Sequence, residues 1–305
     1  MRVLYNASAG SASEADLESL RTLPGVDFVD CADPAALMDA ATEASHAGID
    51  LVVAAGGDGT VHLAANGLMR AGETAATRPA LGLLPLGTGN DLARTLGVPI
   101  GLHPFDAIDA LRHADRRLID VIRISHDGDD DETEFAINVC AGGFSGTVDE
   151  VMTSELKATW GPLAYLVGAA RALPNLADFD TRISWDDGPD ERVSAYNVVV
   201  ANARTAGGGK PVAPRANPED GLLDVVVVRA DADLVRLAAR VLAGDYLDDP
   251  DIVYNQVSRL RVASQPGMWF NVDGELRTNV PITFEAVPGA LRVCVGTDYT
   301  PDPRL

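Results

Sequence analysis

Two short stretches hold most of the residues in this chain whose types and spacing could do chemistry. Gly56-Gly57-Asp58-Gly59-Thr60 and Gly87-Thr88-Gly89-Asn90-Asp91 each combine glycines, a hydroxyl and a carboxylate. Glycine tolerates positive φ and lets the backbone approach a ligand closely, as a phosphate cradle requires. Asp58 and Asp91 beside a polyphosphate would repel it, so the pair makes sense only with a cation. Mg2+ with its waters, or Arg94 early in the following helix, would supply that charge. Neither stretch is a P-loop, since no Gly-Lys-Ser/Thr follows, and His62 breaks the Gly-x-Gly-x-x-Gly pattern at its third glycine. Each residue also has a plainer reading. Asp58 can cap the helix that follows it, Arg94 can be an i,i+3 partner of Asp91, and His62 reads as a helix-face residue rather than a base.

The elements that must position these residues follow from periodicity. Apolar runs at 49–55 and 80–86 precede the two glycine turns, and helix-spaced residues at 61–69 and 92–96 follow them. Upstream, the pattern predicts a strand at 3–5, a turn at 6–10, a helix from Ser13 to about Leu23, a strand at 26–29 and a helix at 34–46. Alternating strands and helices predict an open parallel sheet, with ligands at the carboxyl ends of its strands. After Leu118 strand-like runs dominate, at 121–124, 134–139, 181–185, 196–200, 223–228, 259–262, 281–285 and 291–295. Helices are expected mainly near 148–175 and 231–243. Many strands with few helices predict a β-sandwich. The expected organisation is therefore an α/β domain over 1–120 and a β-sandwich domain over 121–305, with the C-terminal segment returning to the first domain. The acidic loop 127–132 lacks an EF-hand pattern and reads as a solvated hairpin tip. The apolar stretch 158–173 reads as a helix packed on the sandwich, with an acyl-chain groove or bilayer contact as its functional alternative.

Composition limits the function classes. The chain has 45 acidic and 24 basic residues, a net charge of −21, and only Lys157 and Lys210 as lysines. That balance argues against sequence-independent nucleic-acid binding, which needs basic clusters against phosphate, and against a polybasic membrane anchor. Acid spread along the whole chain suits concentrated salt and predicts a halophilic source. Cys31, Cys140 and Cys294 form neither a disulfide framework nor a zinc spacing, which fits a reduced cytoplasmic setting. The first residues read as a strand rather than a secretory leader. No apolar run nears the roughly 20 residues that span a bilayer.

Taken together, Gly56–Thr60 and Pro85-Leu-Gly-Thr-Gly-Asn-Asp-Leu-Ala-Arg94 resemble the diacylglycerol kinase catalytic-domain family, which includes soluble bacterial lipid kinases and the sphingosine and ceramide kinases. The second motif is the specific one, because NAD kinases share the first. The resemblance extends to Asn138–Phe144, to Ala203–Asp224 with its Gly207–Gly209 run, and to Asp273-Gly-Glu275. It implies a three-layer α/β/α nucleotide-binding domain followed by a β-sandwich, and an ATP- and Mg2+-dependent transfer of a phosphoryl group to a lipid hydroxyl. Asn6, Cys31, Gly56, Gly57, Asp58, Gly59, Thr60, Gly87, Thr88 and Asn90 would border ATP. Asp58, Asp91, Arg94 and Asp120 would form a carboxylate–arginine–water–Mg2+ network, and Asp273 or Glu275 would be the base. Asn217, Asp220 and Leu222 would hold a structural Mg2+, the first and last by carbonyls. Without the resemblance, Asp273-Gly-Glu275 reads as a β-turn, and Asp220–Asp224 reads equally as a turn or a metal loop. Two departures weaken nucleotide contacts. The family's Asn-Pro-x-Ser/Ala-Gly plus a basic residue is here Asn6-Ala-Ser-Ala-Gly-Ser11, without proline or cation. Cys31 replaces a common hydroxyl. The expected partners are ATP and a lipid presented at a membrane surface, with peripheral membrane contact; a homodimer stays open. The rival readings are an NAD kinase-type phosphotransferase and a nucleotide-binding regulator that has lost transfer activity.

Overall fold

A computed structural model describes residues 1–6, 13–72, 74–126, 129–143, 178–273, 275–277 and 281–303. Ser11, the 158–173 stretch, the helix expected near 148–175, Phe144 and the Glu275 side chain lie outside what is described. The chain divides into two compact units, Met1–Val121 with Pro288–Pro301, and Ile122–Val287 with Asp302–Leu305.

In the first unit, β1 (Arg2–Asn6), β2 (Asp27–Cys31), β3 (Leu51–Gly56) and β4 (Ala80–Pro85) alternate with α1 (Glu14–Arg21), α2 (Pro34–His46) and α3 (Asp58–Arg70). Then come α4 (Asp91–Thr95), α5 (Pro104–His113) and the start of β5 (Arg116–His126). The strands are parallel, in the order β4, β3, β1, β2, and the end of β17 (Ile282–Cys294) adds alongside β4 at Val293 and Leu81. Leu51-Val-Val-Ala-Ala-Gly56 is buried along its whole length, as a central parallel strand covered on both faces must be. Val3, Tyr5, Leu51 and Val53 pack against Leu17 and Leu20 of α1 and Ile108 and Leu111 of α5. The alternate residues Leu4, Val52 and Ala54, also buried, point to the opposite face. That face is left to α2 and α3, whose close approach is set by Gly67: a Cβ there would meet the Met38 carbonyl oxygen at 2.3 Å. The result is the three-layer α/β/α arrangement.

The second unit is almost entirely antiparallel. It continues β5 into β6 (Asp129–Ala136), then β7 (Val139–Gly143), β8 (Phe179–Trp185), β9 (Asp190–Ala201), β10 (Thr205–Ala206) and β11 (Lys210–Pro211). β12 (Leu223–Arg229), α6 (Leu234–Ala243), β13 (Ile252–Val257), β14 (Arg259–Gln265), β15 (Phe270–Val272), β16 (Glu275–Arg277) and most of β17 complete it. β9 and β12 pair centrally and carry core on both faces. Val198, Val200, Val225 and Val227 join a cluster with Phe270 and Phe284. Val199, Ala201, Val226 and Val228 join one with Leu237 and Tyr246. Gly207, Gly208 and Gly209 all have positive φ and turn the chain between β10 and β11. Among the described residues no helix is long and apolar enough to cross a membrane.

Two expected strands differ. The run 134–139 breaks at Ile137 and Asn138, because Asp273 takes the Ile137 and Val139 amides that a continuous ladder would use. Conversely, 281–285 and 291–295 are parts of one strand despite Pro288 and Gly289 between them. There the buried Asp120 carboxylate accepts the Gly289 amide at 2.7 Å and supplies the bond the kink would lose.

Candidate active site

Register brings the first set of predicted residues to one edge. Asn6 stands opposite Cys31 at the carboxyl ends of β1 and β2. Tyr5 pairs with Ala55, so Asn6 is level with Gly56, which in turn stands opposite Pro85. Four strands therefore end in one row, and both glycine turns leave from its β3 and β4 positions. Cys31 is the last residue of β2 rather than the one after it, and it is buried. Burial, then the neighbouring Asp30 charge, pushes its thiol pKa up, so it presents a neutral, weakly polar wall.

The two turns are in contact. A Cβ on Gly87 would lie 2.4 Å from the Gly57 Cα, and one on Gly89 would lie 2.7 Å from Asp58 Oδ2 and 3.2 Å from Asp91 Oδ2. None of Gly56, Gly57, Gly59, Gly87 and Gly89 has positive φ. This corrects the expected reason for the glycines. At Gly57, Gly87 and Gly89 they serve close approach between turns, and the left-handed position belongs to Asn90, at φ 53°. The Asn90 side chain closes its own turn, accepting from the Gly87 amide at 3.1 Å and donating to the Gly87 carbonyl at 2.6 Å. Gly59 differs: a Cβ there would meet nothing within 4 Å. Neither packing nor φ demands glycine at that place, which leaves room for a ligand as the reason.

Asp58 joins the turns electrostatically. It is not the N-cap of its own helix: that place belongs to Gly57, which has no side chain to cap with. Instead Asp58 Oδ1 accepts from the Asp91 amide at 2.7 Å and the Leu92 amide at 3.4 Å, across from the β3 turn to the start of α4. Two first-turn amides of α4 are therefore occupied, while the N-cap residue of α3, Gly57, offers its helix no side chain. An anion is best served at the α3 end. There the Thr60 hydroxyl is buried and has no hydrogen-bond partner. An orphaned buried hydroxyl in the first turn of a helix whose N-cap is glycine fits a phosphate. Arg94, exposed, donates from Nε to the Gly89 carbonyl at 3.2 Å, and Thr88 is exposed at the turn's tip. His62 is buried on α3 beside Asn66.

Among the described residues no three His, Cys, Asp or Glu side chains form a metal cluster. Asp58 and Asp91 alone suit a magnesium ion, which binds one or two carboxylates and completes its shell with water and phosphate oxygens. Asp120, buried on β5, has its described bond to Gly289. In the second unit, Asp220 Oδ1 accepts the Leu222 amide at 3.0 Å, and Asn217 Oδ1 accepts the Glu219 amide at 3.0 Å. One carboxylate with two main-chain carbonyls is again a donor set that magnesium accepts when waters complete it.

Asp273 sits at φ 46° between β15 and β16. Its Oδ2 accepts from the Ile137 amide at 2.9 Å and its Oδ1 from the Val139 amide at 3.0 Å. Both carboxylate oxygens thus fasten the β15–β16 turn to the start of β7. The sequence reading has Gly89 only as part of the second turn, not as the residue that admits both carboxylates, and it has no anchor between Asp273 and the Ile137 and Val139 amides. The Gly-x-Gly spacing was the available signal for the first, and nothing local signals the second.

Comparison with known proteins agrees with this architecture. Residues 1–124 match the diacylglycerol kinase catalytic domain, and residues 138–295 match the YegS C-terminal NAD kinase beta sandwich-like domain. A Bacillus subtilis (strain 168) protein named diacylglycerol kinase is 32% identical over 248 residues, covering 80% of this chain and 77% of that one. A Chromohalobacter salexigens protein named "Probable lipid kinase YegS-like" is 34% identical over 259 residues, covering 82% and 78%. Two solved structures from Bacillus anthracis str. Sterne share the fold. One has TM-score 0.81 at 23% identity, covering 98% and 96% of the two chains. The other, described as a diacylglycerol kinase, has TM-score 0.70 at 21%, covering 98% and 97%. The chain belongs to the diacylglycerol kinase catalytic-domain family, with a YegS-type second domain.

Proposed function

We propose that this protein is a lipid kinase that moves the γ-phosphoryl group of ATP to the hydroxyl of a diacylglycerol-like acceptor, with Mg2+. The observation that carries the reading is the pair of glycine turns held together by Asp58 at one sheet edge, with the glycine-capped start of α3 and the orphaned Thr60 hydroxyl beside them. Family membership and the relatives' names support a kinase acting on lipid.

In this reading the α3 amides and Thr60 hold the nucleotide phosphates, with Asn6 and Cys31 along the same edge and Gly59 leaving space for them. Asp58 and Asp91 would hold the magnesium ion, Arg94 and Asp120 completing the charge network. When bound, the ion would neutralise charge developing on the β- and γ-phosphoryl oxygens. Asp220, with the Asn217 and Leu222 carbonyls, would hold a second, structural ion. The acceptor oxygen bonds to the γ-phosphorus as the bond to the ADP oxygen breaks, and the acceptor proton passes to a carboxylate. Glu275 is the base we assign, because Asp273 already uses both oxygens to hold the Ile137 and Val139 amides.

The test is incubation with radiolabelled ATP, Mg2+ and a lipid panel in high salt. Label in a lipid phosphate is the expected result. Label only in NADP would replace this reading with an NAD kinase, and ATP binding without any labelled product would replace it with a nucleotide-binding regulator.

A further inference from the structure

The five large apolar side chains that stand exposed among the described residues are not scattered evenly. Ile100, Leu102 and Phe105, 40%, 41% and 52% exposed, fall within six residues between α4 and the first turn of α5. The loop is held rather than loose. The Val98 amide bonds the Ala93 carbonyl at 2.8 Å, the Gly296 amide bonds the Leu96 carbonyl at 2.9 Å, and His103 caps α5 through the Phe105 amide. Beneath it lies a cavity of about 310 Å³ whose wall includes Leu83, Pro85, Val98, Leu102, Leu111 and Val295. Pro85 is two residues before Gly87, and the loop begins where the helix carrying Asp91 and Arg94 ends. This apolar surface is thus continuous along the chain with the second glycine turn.

From Val98 to Phe105 there is no carboxylate, in a chain with 45 of them, and His103 is the stretch's only ionisable side chain. An apolar, charge-poor knuckle on an acidic protein matches a surface that is neither anionic nor strongly hydrated. A basic protein partner would find no carboxylate within the stretch itself, the nearest being the exposed Asp106 at its end and Asp115 in the cavity wall. We propose that the 98–105 loop is an interfacial docking element. It places Ile100, Leu102 and Phe105 in the headgroup–acyl boundary of a zwitterionic bilayer, on the stretch of chain that follows the second glycine turn. This rests on the lipid-kinase reading: with no spanning helix among the described residues, the enzyme must meet its acceptor at the membrane surface.

The test uses the full chain, wild type and the combined variant Ile100→Ser, Leu102→Ser, Phe105→Ser, with phosphatidylcholine vesicles carrying dioleoylglycerol. Because the three side chains are exposed, the variant is expected to keep its melting temperature. Its vesicle co-sedimentation should fall by at least about tenfold, and its KM for vesicle-borne acceptor should rise. Turnover of monomeric dihexanoylglycerol should stay at the wild-type rate. Doping the vesicles with phosphatidylglycerol at low salt should weaken wild-type binding. Undiminished partition of the variant would overturn the proposal, as would a wild-type dimer that the substitutions convert to monomer, which would assign the loop to a second copy of the chain. Vesicle binding that depends on the loop, in a protein phosphorylating neither acceptor, would uphold the docking element and sink the kinase reading.

Discussion

Asp58 carries two duties that a single substitution can separate. Its charge is the one the proposed cation needs, and its Oδ1 is the acceptor that caps α4 at the Asp91 amide. Asp58→Ala removes both, so it should lose transfer and also about 1 kcal/mol of stability, the usual worth of a helix cap. Asp58→Asn keeps a carbonyl oxygen for the cap and removes only the charge. It should unfold in urea like the wild type while transfer falls about a hundredfold or more. Near-normal turnover in Asp58→Asn would rule out the metal network. The same logic separates the two carboxylates near the second-domain turn. Asp273→Asn turns an NH2 toward a backbone amide and should cost roughly 1–3 kcal/mol, with reduced transfer that keeps the wild-type pH profile. Glu275→Gln should fold normally and abolish the acidic limb of that profile. A stable Asp273→Asn enzyme with a lost limb would reverse these roles.

At the level of elements, the alternation of strands and helices was readable because β3 and β4 are apolar runs of strand length bounded by glycine turns. The grouping of Asn6, Cys31 and Gly56 came from the family resemblance and not from local pattern, because their row with Pro85 depends on inter-strand register, and register arises from packing across the sheet. For the same reason Asp58 looked like the cap of its own helix, when the acceptor it offers is used one strand away. The break at Ile137–Asn138 and the continuity through Pro288–Gly289 each depend on a distant carboxylate, Asp273 or Asp120, that no local pattern reveals. The contact between turns makes its own prediction. Gly87→Ala puts a methyl 2.4 Å from the Gly57 Cα, against backbone that cannot rotate away. It should cost about 1–3 kcal/mol and lower nucleotide affinity, measured by urea denaturation and ATP titration. Gly59→Ala, with open space around its Cβ, should keep full stability and weaken only ATP binding. Equal stability losses in both variants would show that turn contact does not distinguish them.

For the whole molecule, charge decides how stability responds to solvent. Arginines are shared among several acids: Arg21 lies 2.9 Å from Glu14, 3.7 Å from Glu18 and 3.6 Å from Asp30, while Arg236 and Arg240 flank Asp249. Asp249 is only 1% exposed. Burial pulls its pKa up, but the Asp251 amide and the Arg240 and Arg236 guanidiniums outweigh this and leave it below the usual carboxylate range. A carboxylate lowered in the folded state contributes stability that is complete above its unfolded value of about 3.9 and is lost as pH falls through the folded value. Acid unfolding should therefore begin below about pH 4, and Asp249→Asn should lose roughly 2–4 kcal/mol at neutral pH while becoming less acid-sensitive. Salt acts in the other direction. Raising it from 0.1 to 1 M shortens the screening length from about 10 to about 3 Å. Exposed ion pairs weaken, but each is worth only about 0–1 kcal/mol, whereas the excess of 21 negative charges repels across the entire surface. The melting temperature at pH 7 should therefore rise from 0.1 to 1 M KCl. Reversing a handful of exposed acids of the second unit, such as Asp187→Lys and Asp231→Lys, should flatten that rise. A melting temperature that falls with KCl would mean that the arginine-shared pairs outweigh the net repulsion, and the proposed adaptation to concentrated salt would fail with it.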